Sequence, residues 1–180
     1  MRITGGDWAS RRLAGPGRHD AIRPTPDALR EQGFAVLAPR LPGASFLDLF
    51  AGTGANALEA LSRGAARALL VEQARPAAEL IRRNLASFDV GAGVARLAVA
   101  AAARAVVQLA AAGERCTVAW CDPPFADWDA GPAALALARE HGLLPPGAWV
   151  VLELPPRRAA AIAGFATVRA LRGAVLLEVS

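Results

Sequence analysis

From Ser45 onward, short apolar runs alternate with longer runs rich in alanine and leucine, and this rhythm restricts the possible folds more than any other feature. SFLDLF from Ser45, ALLVE from Ala68, VARLAV from Val94, CTVAWC from Cys116 and AWVVLEL from Ala148 read as strands. Between them, residues 55–63, 75–87, 101–111 and 132–140 read as helices. Strands that are apolar along their whole length are expected where helices cover both faces of a sheet. A βαβα succession of this kind implies a parallel, doubly wound α/β sheet. Near the end the rhythm breaks. FATVRAL and AVLLEVS are separated by Arg172 and Gly173 alone, and so short a link requires an antiparallel hairpin.

Residues 1–42 follow a different plan. RITGG and ASRRLAG read as a small arginine-bearing hairpin with Gly5, Gly6 and Asp7 near its turn. RPTPDALREQGFAVLAPRL then reads as a helix capped by Thr25 or Asp27, with Pro26 tolerated in the first turn. Gly33 should weaken that helix by about 1 kcal/mol relative to alanine. The 180 residues fit one domain, a front extension over 1–42 and a core over 43–180, long enough to bury a substantial interior.

Charge and composition narrow the function classes. The net charge is +4 and every basic residue is an arginine; up to Arg30 there are six (Arg2, Arg11, Arg12, Arg18, Arg23, Arg30) against three acids. Arginine forks onto phosphate and stacks on bases, so a basic front suits nucleic acid. Although 54% of residues are apolar, no run approaches the roughly 18 needed for a membrane span, since Arg104 interrupts the alanine-rich stretch. MRITGGDWASRR lacks the apolar centre of a secretion signal, so a cytoplasmic protein is expected. Cys116 and Cys121 lie five apart in one expected strand, so their side chains should point to opposite faces and stay unbridged. Two thiols make no zinc site, His19 and His141 are isolated, and no metal is expected.

Two segments carry chemistry. In LDLFAGTGANALEAL, Asp48 ends a strand, Gly52 and Gly54 make a tight turn, and a helix opens behind them. Glycines let backbone approach a ligand, and the helix N-terminus presents unpaired N–H groups. Glu72 ends the next strand, where an acid can accept hydrogen bonds from ribose hydroxyls. An adenosine-type cofactor follows. The glycine spacing alone also fits a dinucleotide fingerprint; Asp48 before the turn argues against it, because a pyrophosphate would need that space.

The second segment is CDPPF, with Asp122, Pro123, Pro124 and Phe125 at the end of the fourth strand. An exocyclic amine on a base is a poor nucleophile, because its lone pair is delocalised into the ring. The Asp122 carboxylate and the Pro123 carbonyl can hold its two hydrogens, the prolines fix the backbone, and Phe125 offers a stacking face.

With these residues in view, the chain resembles the bacterial 16S ribosomal RNA guanine-N2 methyltransferases, the small single-domain enzymes that methylate guanine 966. The likeness runs nearly end to end through RITGGDWASRRL, RPTPDALRE, LDLFAGTGANALEALSRGA, LLVEQ, CDPPF and GLLPPGAWVVLEL. It implies a class I, Rossmann-like methyltransferase fold, S-adenosylmethionine as cofactor, and 16S ribosomal RNA in the small subunit or its assembly intermediate as partner. Cofactor contacts then fall on Asp48, Phe50, Ala51, Gly52, Thr53, Gly54, Glu72 and Gln73, and catalysis on Asp122 through Phe125. RNA contacts are expected at Arg2, Trp8, Arg11, Arg12, Arg18 and Arg23, with Arg23 and Thr25 near the cofactor mouth or target pocket. Three departures stand out. No acid occurs between Asp89 and Glu114, where the family places one for the adenine amine; Phe125 stands where many relatives have tyrosine; and REQGFAVL replaces a pattern closer to REALFNIL. The competing readings are an N6-adenine methyltransferase, an NAD-dependent oxidoreductase, and a non-catalytic RNA-binding or assembly factor that kept the fold.

Overall fold

The computed structural model describes residues 1–15 and 27–180. Among these residues, seven strands, β1 (Ser45–Leu49), β2 (Arg67–Glu72), β3 (Ala95–Val99), β4 (Val118–Cys121), β5 (Trp149–Glu153), β6 (Phe165–Leu171) and β7 (Ala174–Val179), form one sheet in the order β3-β2-β1-β4-β5-β7-β6. The first five are parallel, and β7 runs antiparallel to both β5 and β6. This is the class I methyltransferase arrangement, closed by the hairpin that Arg172 and Gly173 turn.

Side-chain alternation along the central strands divides the interior into two layers. Phe46, Leu70, Val118, Trp120 and Val151 face α1 (Asp27–Leu37), α2 (Ala55–Ser62) and α3 (Arg75–Ser87). Leu47, Leu49, Val71, Ala119, Cys121 and Leu152 face α4 (Ala102–Ala111) and α5 (Ala130–Glu140). Both faces of β1 and β4 are therefore buried, which is why their sequences show no polar alternation. The edge strand β6 is largely exposed and carries a register irregularity between Thr167 and Arg169, which interrupts a surface that could otherwise pair with another chain.

Two expectations are corrected here. The fourth strand begins at Val118, so Cys116 lies before it, its N–H donating to the Leu143 carbonyl at 2.8 Å. The parity argument does not reach it, and both free cysteines are buried in the same layer, beneath α4 and α5. Gly33 is the second. A Cβ at this position would stand 2.4 Å from Cη2 and 2.5 Å from Cζ3 of Trp120, so the glycine provides the close approach between α1 and the sheet. It lies in the segment that departs from the family pattern, and the room it leaves is filled by an indole.

The front hairpin forms with a single antiparallel bridge between Arg2 and Arg12, and it docks on α2. Glu59, fully buried, receives the backbone N–H and the hydroxyl of Thr4, both at 2.7 Å. It also pairs with Arg63 at 2.8 Å and with Arg30 of α1 at 3.7 Å. One buried carboxylate thus ties three segments together. The helix cap expected at Thr25, with Pro26, lies outside the described residues, as do His19 and the side chain of Asp27.

Candidate active site

The carboxyl ends of the parallel strands open into a cavity of about 1440 Å³. That exceeds the roughly 300–1,000 Å³ typical of a site for one small ligand, leaving room for a cofactor and a second group. Its position, beyond the strand ends where the connections diverge between β1 and β4, is where open α/β sheets bind ligands.

One wall is the loop from β1 to α2. Phe50, Ala51, Gly52 and Thr53 line the cavity. Phe50 has φ of 64°, a left-handed conformation that a bulky side chain adopts only when its surroundings enforce it. The enforcement is visible: the Ala51 N–H donates to Val71 at 2.9 Å, and the Gly54 N–H returns to Ala51 at 2.7 Å. Gly54 itself has φ of 76° and leads into α2. Glu72, at the end of β2, accepts the Gly52 N–H at 2.9 Å on one oxygen and the Ala74 N–H at 2.8 Å on the other. These two hydrogen bonds hold the carboxylate in place at the cavity lining, and each oxygen keeps further acceptor capacity.

Asp48 and Gly54 do not line the cavity; they lie behind its wall. Asp48 is fully buried and accepts the Ala57 N–H in the first turn of α2 at 3.1 Å. It therefore caps the helix from the neighbouring strand and occupies a donor that an anionic ligand would otherwise use. Burial pushes its carboxyl up to about 8; the Ala57 N–H opposes this, while the nearby Asp122 and Glu72 carboxylates add to it.

The second motif leaves the adjacent strand, β4, and lines the same cavity. The Asp122 N–H donates to Leu49 at 3.3 Å, and Asp122, Pro123, Pro124 and Phe125 all line the cavity. Phe125 is 47% exposed and brings an aromatic ring to this lining. The structure thus brings together the glycine loop, Glu72, Gln73 and the Asp122–Phe125 run in one cavity. The residues after β3, which lack the family's acid, form no part of its lining; Gln73, Ala74 and Ala77 close that end.

The expected RNA-contacting residues fare unevenly. Trp8 packs on Phe88 with ring centroids 5.3 Å apart, and the Arg11 guanidinium lies 4.2 Å from the same ring while donating to the Ser87 carbonyl at 2.8 Å. Both hold the hairpin to the end of α3. Arg2 and Arg12 are exposed on the hairpin, and Arg18 and Arg23 lie outside the described residues.

Several lining residues escaped the sequence reading. Arg157 and Arg158 follow β5, Arg172 turns the final hairpin, and Gln32 accepts the Arg172 N–H at 3.0 Å; all four border the cavity. Glu153, at the end of β5, is only 5% exposed, accepts the Trp120 indole N–H at 2.9 Å, and gives its backbone carbonyl to Trp128 at 2.8 Å. A signal for it was available: β2, β4 and β5 each end in or are followed at once by an acid (Glu72, Asp122, Glu153), and all three line the cavity. The cavity interior is therefore acidic and its rim basic. Among the described residues, no group of three or more His, Cys, Asp and Glu side chains could hold a metal ion. Nor is any described helix long and apolar enough to cross a membrane.

Comparison with known proteins completes the picture. The family model described as conserved hypothetical protein 95 matches residues 1–174. Ribosomal RNA small subunit methyltransferase D of Escherichia coli K12 is 42% identical over 125 residues, which are 69% of this chain and 60% of that protein, so the match spans less than two thirds of the relative's length. Two solved structures superpose over 99% of the chain at 33% identity. One is the Escherichia coli chain yhhF, provisionally described as a methyltransferase (97% of its length, TM-score 0.80), and the other a hypothetical protein of Thermus thermophilus (98%, TM-score 0.81).

Proposed function

The chain belongs to the conserved hypothetical protein 95 family, and from that premise we propose that it is an S-adenosylmethionine-dependent methyltransferase acting on the exocyclic N2 amine of a guanine in 16S ribosomal RNA. One observation carries the reading: the glycine loop with Glu72 and the run from Asp122 to Phe125 line one cavity. The name of the Escherichia coli relative points to the same substrate.

The donor set fits this cofactor better than a dinucleotide. S-adenosylmethionine carries a sulfonium and an ammonium, and it supplies an electrophilic methyl group when bound. Glu72, beside the glycine loop, favours such a cation and disfavours a pyrophosphate. The Ala57 N–H, at the helix end where a pyrophosphate would be received, is already taken by Asp48. Phe50 through Thr53 would meet the amino-acid end with backbone, Glu72 the ribose hydroxyls, and Gln73 the adenine side. Asp48 and Gly54 act from behind by shaping the loop.

At the second motif, the Asp122 carboxylate and the Pro123 carbonyl accept the two hydrogens of the target amine and aim its nitrogen at the methyl group. As nitrogen becomes pyramidal and acquires positive charge, the adjacent carboxylate stabilises it. Phe125 stacks on the base. Arg157, Arg158 and Arg172 at the rim, with Arg2 and Arg12 on the hairpin, meet phosphates of the surrounding RNA. The partner is the small ribosomal subunit or its assembly intermediate, in the cytoplasm.

The test is to incubate small subunits lacking the modification with methyl-labelled cofactor, then digest the 16S RNA to nucleosides. Label in N2-methylguanosine supports the proposal, and label in N6-methyladenosine would favour the adenine reading. Cofactor binding without transfer would leave a non-catalytic assembly factor.

A further inference from the structure

Glu153 plays no part in holding the amine, yet it stands beside the residue that does. The parallel register pairs Cys121 of β4 with Leu152 of β5, strands roughly 4.8 Å apart, so Asp122, directly after β4, comes beside Glu153, the last residue of β5. Leu152 faces the α4–α5 layer, so alternation turns Glu153, within β5, to the other face; Asp122, directly after β4, lines the same cavity. Glu153 is also anchored. The Trp120 indole fixes one of its oxygens, and the Trp128 indole fixes its carbonyl. Trp120 is in turn stacked on Phe34, with centroids 5.1 Å apart and planes 14° apart.

We propose that Glu153 selects the base by accepting the ring N1–H adjacent to the target amine. This rests on the reading of Asp122 through Phe125 as the amine-holding wall. A carboxylate is an acceptor only, and the edge of guanine beside its 2-amino group presents two donors in succession, N2–H and N1–H. The corresponding edge of adenine presents its 6-amino donor next to an N1 lone pair. Two neighbouring carboxylates match the first pattern. Against the second, a lone pair would be buried facing the Glu153 oxygen, with no hydrogen between them. A site built to accept a particular hydrogen bond rejects an analogue lacking the donor far more strongly than shape alone can.

The experiment compares small subunits reconstituted with 16S RNA carrying either guanine or 2-aminopurine at the methylated position. 2-Aminopurine keeps the 2-amino group and lacks the N1–H. The wild-type protein should methylate guanine at least about 10²-fold faster in kcat/KM, as expected for loss of a charge-assisted hydrogen bond. In Glu153→Gln, the amide oxygen can still receive the Trp120 N–H, while the amide NH₂ replaces an acceptor with a donor. Guanine methylation should fall by about 10²-fold, and the guanine preference should shrink at least tenfold, since 2-aminopurine now faces a donor. The cofactor dissociation constant should stay within about twofold, because Glu153 faces the base. Two results overturn the inference: a wild-type protein that uses both bases equally, which needs no variant, or a Glu153→Gln protein that slows both equally and keeps its preference. Wild-type protein that methylates neither base refutes the proposed function along with it, and that failure is recognised because the variant plays no part in it.

Discussion

Replacing Gly33 by alanine sets two rules against each other. Helix propensity alone makes Gly33→Ala stabilising by about 1 kcal/mol in the middle of α1. The new methyl carbon, however, would lie 2.4 and 2.5 Å from two ring carbons of Trp120. Carbon pairs settle near 3.5–4.0 Å, so the indole or the helix would have to retreat by about 1 Å. Trp120 has little room to do so. It is fully buried, stacked on Phe34 at 5.1 Å, and tied through its N–H to Glu153 at 2.9 Å. Overpacking of such a core costs about 1–3 kcal/mol, and this clash belongs at the upper end. Subtracting the propensity gain leaves a net loss of about 1–2 kcal/mol. Urea unfolding of the two proteins measures it directly. In a Trp120→Phe background the smaller ring relieves the clash, so the same alanine should there be neutral or stabilising, and the cycle should be non-additive by at least about 1 kcal/mol. A Gly33→Ala protein more stable than wild type, with Trp120 intact, would refute the reasoning.

Three further outcomes follow from the same geometry. Glu72→Ala should weaken cofactor binding by at least about 1–3 kcal/mol in titration calorimetry, since ribose loses its acceptor and the Gly52 and Ala74 N–H groups lose theirs; unchanged affinity would remove Glu72 from the site. Glu59→Ala should cost about 3–5 kcal/mol of unfolding free energy, because Arg30 loses an ion-pair partner in a buried position and the hairpin loses its anchor at Thr4; a loss under about 1 kcal/mol would contradict this. For Asp48 the folded value, about 8, lies above the ordinary 3.8, so the folded state holds a proton that the unfolded state has released. Its stabilising contribution is complete below about pH 4 and declines as pH rises to about 8, at up to about 1.4 kcal/mol per pH unit. Asp48→Asn keeps an acceptor for Ala57 and should flatten the fall in ligand-free stability between pH 5 and 8; an identical slope in both proteins would show that Asp48 is not its source.

The elements were legible because each strand and helix carried its own periodicity and punctuation; α3 and β6 have the bounds their patterns imply. The residues meeting the cavity at the glycine loop and at Asp122–Phe125 were legible too, since both motifs sit at strand ends that a parallel sheet gathers along one edge. What stayed hidden depends on neighbours distant in sequence. The role of Gly33 is set by Trp120, 87 positions later, and that of Glu59 by Thr4, 55 positions earlier. Trp8 and Arg11, expected at an RNA surface, also share a partner within the fold, Phe88, that lies far along the sequence. The parity argument for the cysteines failed for a local reason: the strand starts at Val118, and alternation has no meaning before it.

The central claim is that the Asp122–Phe125 wall presents an amine to a methyl donor held against the glycine loop. Single-turnover methyl transfer to small subunits, with cofactor binding recorded separately, tests it in one variant. Asp122→Ala should cut the transfer rate by roughly 10²–10³-fold, about 3–4 kcal/mol, as for loss of one preorganised electrostatic group. Cofactor affinity should stay close to that of the wild type, because this carboxylate acts on the amine rather than on the adenosine. A folded Asp122→Ala protein that transfers methyl at the wild-type rate would contradict the account.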